Sequence, residues 1–398
     1  MNQSSKPIKS FKISEQAKDI QNRLSAKIQS EMVNQNGKMP FSQFMQMALY
    51  EPRLGYYQNS LHKFGEKGDF ITAPEMGDHF AKCLARSVQQ FFKDSVEPTK
   101  ILLEIGAGSG ILAVNLLTEL EHLQALPARY FILEPSAPLQ NQQRALLKQR
   151  LPDYFSKIKW LDQLPQKLHG LILANEVIDA IPCERIKRVN GQWLQIGVTY
   201  EKGEFVECLM QQVDDENLPG PLVGKDAQDR YQDEYTTEYR ALVKGWIKAL
   251  AKSLDCGAIL LVDYGYSESE FYHPQRAQGS LTCFIGHHSH FEPLQYVGLQ
   301  DITAHVDFTQ VARVAFDNSL EISGFTTQAG FLLENGITEI NDEAAMNKTP
   351  EQRYRRSQAL QKLLMPGQMG EVIKVILLSK KREREIKGFT LQDHLHRL

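Results

Sequence analysis

The 398-residue sequence has few signals of the kinds that usually place a chain quickly. Its five cysteines, Cys83, Cys183, Cys208, Cys256 and Cys283, are widely spaced and nowhere form CxxC, which removes a disulfide framework and a cysteine-based zinc site. No run approaches the roughly 18 to 20 continuous apolar residues of a membrane helix. The polar start "MNQSSKPIKSFKIS" has no signal-peptide core. Lys6, Lys9 and Lys12 precede the first acid, Glu15, but no arginine occurs before Arg23, so the expected location is cytoplasmic. Charge of one sign is also missing: 45 basic against 48 acidic residues give −3, which argues against a nucleic-acid-binding surface. No HExxH occurs, and His287, His288 and His290 in "GHHSH" have only Glu292 nearby, so no metal is expected.

What remains is an ordinary globular composition, 42% hydrophobic and 23% charged, long enough for two or three units. Helical spacing at Ile13, Ala17, Ile20, Leu24 and Ile28, a short helix in "PFSQFMQMALY" and another in "HFAKCLARSVQQFFKD" predict an N-terminal helical cap over residues 1–97. From residue 98 to 398, short apolar runs alternate with helical segments, which predicts an α/β domain with a mostly parallel sheet. Its strands are expected in "ILLEIG", "RYFILEP", "GLILAN", "GAILLVDYG" and "GEVIKVILLSKK". Alternation and the turn pairs NG and KG predict a β-rich insertion within 183–235.

The strand "ILLEIG" runs into "AGSGIL", placing Gly106, Gly108 and Gly110 between a strand and a helix, where a ligand can approach the backbone. A dinucleotide fingerprint wants a small residue at 111, where Ile111 stands. A Walker loop wants Lys followed by Ser or Thr, and neither is present. Instead Glu104 precedes the turn and Glu134 ends the next apolar run. A carboxylate there can accept both hydroxyls of an adenosine ribose, and Glu104 can fix the loop or receive an ammonium group. Together they suit S-adenosylmethionine. The third strand end, "LILANEVIDAIP", adds Asn175 facing the same crevice, with Glu176 and Asp179 as candidates to orient an acceptor nitrogen or to cap a helix. Asp263, in "LLVDYGY", ends a further strand on the ligand side or makes a tight turn.

These residues resemble the MidA-like, S-adenosylmethionine-dependent methyltransferases, a family that includes a mitochondrial protein arginine methyltransferase assisting respiratory complex I assembly. The resemblance lies in "GDFITAPEMGDHF" at 68–80, "LLEIGAGSG" at 102–110, "LEPS" at 133–136, "ANEVIDAIP" at 174–182, "HPQRAQGSL" at 273–281, "GLQDITAHVDF" at 298–308 and "MPGQMGEVIKVILL" at 365–378. It implies a class I methyltransferase fold, Rossmann-like, with a seven-stranded sheet whose last strand is antiparallel. It implies a cofactor pocket at Gly106, Gly108, Gly110 and Glu134, and a loop at 68–78 that closes over it and brings Thr72, Pro74 and Glu75 near cofactor or acceptor. The expected function is methylation of a protein, at an arginine side chain, with Glu75, Glu176 and Asp179 holding the acceptor. The alternative is a non-catalytic assembly or binding protein that retains the fold. Oligomeric state is not legible.

Overall fold

The computed structural model describes residues 13–61, 63, 72–93, 100–345, 348–381 and 386–398. The chain divides into two compact units, each assembled from separated stretches: Met1–Phe70, Ile178–Val243 and Glu268–Asp307 in the first, and Ile71–Val177, Lys244–Ser267 and Phe308–Leu398 in the second.

In the first unit, helix Glu15–Val33 opens at Ser14, whose side chain accepts a hydrogen bond from the Ala17 amide. Its spacing buries Leu24, Ile28 and Met32 against Phe41, Phe44 and Leu49 of helix Phe41–Tyr50. Beside them, strands Lys38–Pro40, Gln192–Glu201, Glu184–Val189 and Thr236–Tyr239 pair in that order, with Glu204–Gln212 also on Gln192–Glu201. The two hairpins turn on Asn190–Gly191 (φ +51° and +77°) and Lys202–Gly203 (φ +51° and +94°). Positive φ at both central residues is the two-residue turn whose twist matches the strands.

The second unit holds the larger sheet. Seven of its strands are β1 (Ile101–Ile105), β2 (Arg129–Leu133), β3 (Ile158–Leu161), β4 (Leu168–Asn175), β5 (Leu254–Tyr266), β6 (Glu321–Thr327) and β7 (Ile373–Lys380). They follow the order β6-β7-β5-β4-β1-β2-β3. The sheet is mixed: β7 runs antiparallel to β5 and β6, whereas β5, β4, β1, β2 and β3 pair in parallel. The central strands carry near-continuous buried runs, such as Leu171, Ile172 and Leu173, as strands covered on both faces must. Helices His79–Lys93, Ile111–His122 and Ala137–Arg150 supply Leu84, Phe91, Leu116, Leu120 and Leu147 to the same core.

The strands expected in five apolar runs all form, and β3 and β6 are additional. Helix His79–Lys93, read from the sequence as part of the N-terminal cap, belongs to the second unit. Residues 68–71, which begin the loop expected at 68–78 to close over a pocket, lie outside the described residues.

The sheet leaves no room for a side chain at Gly170 in β4. A Cβ there would lie 2.2 Å from the Ile101 carbonyl oxygen, at a φ of +158° that side chains rarely adopt. Gly170→Ala should therefore lower unfolding free energy by about 3 kcal/mol or more, read by urea denaturation. A loss below about 1 kcal/mol would mean that β1 and β4 are less tightly joined than described.

Candidate functional site

The glycine turn sits between β1 and helix Ile111–His122. Gly106, Gly108 and Gly110 have φ of +67°, +53° and +85°. A Cβ at Gly106 would meet Val177 at 2.9 Å, and one at Gly110 would meet Gln143 at 3.3 Å. Glycine is thus required for backbone conformation and for space. The Gly106 amide donates to the Leu133 carbonyl at 3.0 Å, so the turn is seated directly on the end of β2.

Two carboxyls are buried at this end of the sheet. Glu104, 2% exposed, accepts a hydrogen bond from the Tyr130 hydroxyl at 2.7 Å. Burial pushes it up to about 7; the Tyr130 bond opposes that rise and the nearby Glu134 charge adds to it. Glu134, 5% exposed, accepts from the Ser136 amide at 3.0 Å and from Gln143 Nε2 at 3.1 Å. Burial raises it too, to about 7, against these hydrogen bonds and one from the Gly108 backbone.

Glu75 lies in a one-turn helix, Ala73–Met76, and accepts a hydrogen bond from the Ser109 hydroxyl, between two of the turn glycines. Two residues past that short helix, Asp78 accepts from Arg356 Nη1 at 2.6 Å, fixing the chain that carries Glu75. At the end of β4, Asn175 Nδ2 donates to Glu176 Oε1 at 3.2 Å, and Asn175 Oδ1 is buried without a hydrogen-bond partner. Glu176 has φ +52°, an uncommon conformation for a residue other than glycine. Its amide donates to the Val262 carbonyl at 2.8 Å, and the next amide, Val177, donates to Asp263 Oδ2 at 3.1 Å. The buried Asp263 thereby holds the backbone of the Glu176 turn.

The second unit thus brings together Glu75, Glu104, Gly106, Gly108, Gly110, Glu134, Asn175 and Glu176. Asp179 falls in the first unit. There the Arg240 guanidinium donates to the carbonyls of Asp179 at 2.8 Å and Ile181 at 3.1 Å. Burial pushes the Asp179 carboxyl up to about 6, against the Arg240 charge. Among the described residues no group of three or more His, Cys, Asp or Glu could hold a metal ion, and no helix is long and apolar enough to cross a membrane.

Sequence reasoning missed Tyr130, Gln143 and Trp160. The spacing Leu139, Gln143, Leu147 was the available signal, because it puts one polar residue on the buried stripe of helix Ala137–Arg150.

An adenosine with a cationic amino-acid end fits these residues. The turn exposes backbone free of side chains, Glu134 keeps acceptor capacity for hydroxyls, and the orphaned Asn175 oxygen awaits a donor. Fold and site together define an α/β methyltransferase. Residues 83–326 match the family model described as an S-adenosyl-L-methionine-dependent methyltransferase, and the chain belongs to that MidA-like family. It is similar to a likely methyltransferase from Burkholderia thailandensis, whose crystal structure is bound to S-adenosyl-homocysteine. The two are 34% identical with a TM-score of 0.91, over 98% of this chain and 100% of the other. Among curated proteins it is similar to the mitochondrial protein arginine methyltransferase NDUFAF7 of Danio rerio, 26% identical over 84% of this chain and 82% of the relative. The Drosophila melanogaster homologue is 25% identical over 89% and 84%. These relatives are named as mitochondrial, which overturns the cytoplasmic expectation. That expectation was drawn only from signals absent near the N-terminus, and such an absence has no positive content.

The raised carboxyls make a pH prediction. The folded protein holds protons on Glu104 and Glu134 that an unfolded chain releases near 4.5, so their contribution to stability falls as pH rises from 4.5 towards 7. A ligand that needs Glu134 ionised binds better as pH rises through the same range. Affinity for S-adenosylhomocysteine, measured by calorimetry, should be about tenfold weaker at pH 6 than at pH 8 for each carboxyl that must ionise. A flat profile would detach both from the ligand.

Proposed function

We propose that this methyltransferase modifies a protein, at an arginine side chain. The single observation that carries the acceptor half is the strained, acid-bearing turn at the end of β4, where Glu176 is held at φ +52° with its backbone fixed by Val262 and Asp263. The naming of the NDUFAF7 relatives as protein arginine methyltransferases supports the same reading.

S-adenosylmethionine, when bound, supplies a methyl group on a sulfonium, so the protein's task is alignment and charge control rather than activation of the methyl. Gly106, Gly108 and Gly110 present bare backbone to the nucleoside. Glu134 accepts the ribose hydroxyls, Glu104 serves the ammonium end directly or by fixing the turn, and Asn175 contributes its buried oxygen as an acceptor. Glu176 orients the guanidinium by charge-assisted hydrogen bonds and receives the proton that the nitrogen loses. Glu75, in the same unit, is a further candidate for holding the acceptor. Glu75, bonded to Ser109, also couples that task to the glycine turn.

We further read the larger sheet as the class I, Rossmann-like arrangement of seven strands. The central parallel strands and the antiparallel β7 support this. The N-terminal helices as a cap and residues 183–235 as a β-rich insertion belong to the same reading.

Incubation with methyl-labelled S-adenosylmethionine and mitochondrial protein extract, followed by acid hydrolysis, should yield labelled methylarginine. Glu176→Gln should slow its formation at least about tenfold with S-adenosylhomocysteine affinity nearly unchanged. Label in another amino acid would replace the arginine assignment, and lost cofactor affinity would move Glu176 to the cofactor side. Glu134→Ala should weaken S-adenosylhomocysteine binding by about 1 to 3 kcal/mol. Unchanged affinity in the folded variant would remove Glu134 from the site.

A further inference from the structure

Gln143 is fully buried, yet its side chain is entirely polar at the tip. Its amide joins segments far apart in sequence. The Trp160 indole Nε1, which can only donate, gives its hydrogen to Gln143 Oε1 at 2.9 Å. That fixes which end of the amide is nitrogen. Nε2 then faces the Gly108 carbonyl at 2.9 Å and Glu134 Oε2 at 3.1 Å, using both of its hydrogens. The other carboxylate oxygen, Oε1, takes the Ser136 amide. The same side chain fills the space that a Cβ on Gly110 would need. Gln143 is therefore built into the glycine turn and the carboxylate at once.

We propose that Gln143, oriented by Trp160, is a positioning residue that presents Glu134 as a pure hydrogen-bond acceptor and so makes the site selective for a ribose bearing both hydroxyls. This rests on the cofactor assignment above. With donors from protein on both oxygens, the outward lone pairs of Glu134 can only accept. A vicinal diol satisfies them, and a deoxysugar leaves them buried without partners. Replacing Gln143 with an apolar residue frees the carboxylate to rotate or to take a proton, either of which blunts that discrimination.

The test compares S-adenosylhomocysteine with its 2′,3′-dideoxy analogue by calorimetry at pH 8. Wild type should prefer the ribose form by about a hundredfold, the scale set by hydroxyls whose loss leaves buried partners unpaired. Gln143→Leu should shrink that ratio about tenfold, mostly through loss of S-adenosylhomocysteine affinity. A residue that only packs would weaken both ligands in parallel, so an unchanged ratio overturns the proposal. Trp160→Phe keeps Gln143 but removes the donor that orients it. It should also lower the ratio, and it decides the matter if Gln143→Leu does not fold. Wild type binding both ligands equally would contradict selectivity through Glu134. Wild type binding neither would remove the cofactor assignment itself, and the proposal with it.

Discussion

Two carboxyls kept out of water at the ends of neighbouring strands impose most of the order at the head of the larger sheet. A buried carboxyl is costly unless its oxygens are satisfied, and it resists ionising while it lacks a cationic or donor partner. Tyr130 serves Glu104; Ser136, Gln143 and the Gly108 backbone serve Glu134. Each of these partners is also tied to something else. Ser136 caps helix Ala137–Arg150, Gln143 is held by Trp160, and Gly108 belongs to the turn that opens helix Ile111–His122. Satisfying the carboxyls therefore fixes two helices and a turn in relation to the sheet.

The same constraint supplies a functional asymmetry. Near neutral pH both groups sit close to their titration points, so a ligand that offers hydroxyl donors or an ammonium can complete an ionisation that the protein leaves unfavourable. On the proposed assignment of Glu104 and Glu134, cofactor recognition would be the release of an electrostatic penalty stored in the fold. The turn at Glu176 follows a related pattern. An uncommon backbone conformation persists there because Asp263, itself buried, accepts the following amide.

Much of the geometry of the proposed cofactor half was legible in the sequence because it is local. Gly106, Gly108, Gly110 and Glu134 follow apolar runs directly, and the glycines need positive φ for reasons visible in their spacing. The place of Gln143 on the buried stripe of its helix was legible, but its partners Gly108 and Trp160, 35 and 17 residues away, were not. Strand β6 was hidden by Ser323 and Gly324 and by the register shift between Ile322 and Gly324. Strand β3 is only four residues long and carries an exposed lysine. The division into two units was also beyond the sequence, because the chain passes between them several times. Asp179 illustrates the consequence: three residues past Glu176, it belongs to a different unit.

The most direct measurement is calorimetric titration of the unmodified protein with S-adenosylmethionine and, separately, with NAD. Both ligands carry an adenosine ribose, but only the first pairs it with a cationic amino-acid end and no phosphate. The account predicts binding of S-adenosylmethionine in the micromolar range and none of NAD. Binding of NAD alone, or equal binding of both, would contradict it, because the glycine turn and its two buried acids would then be reading something other than what their chemistry suits.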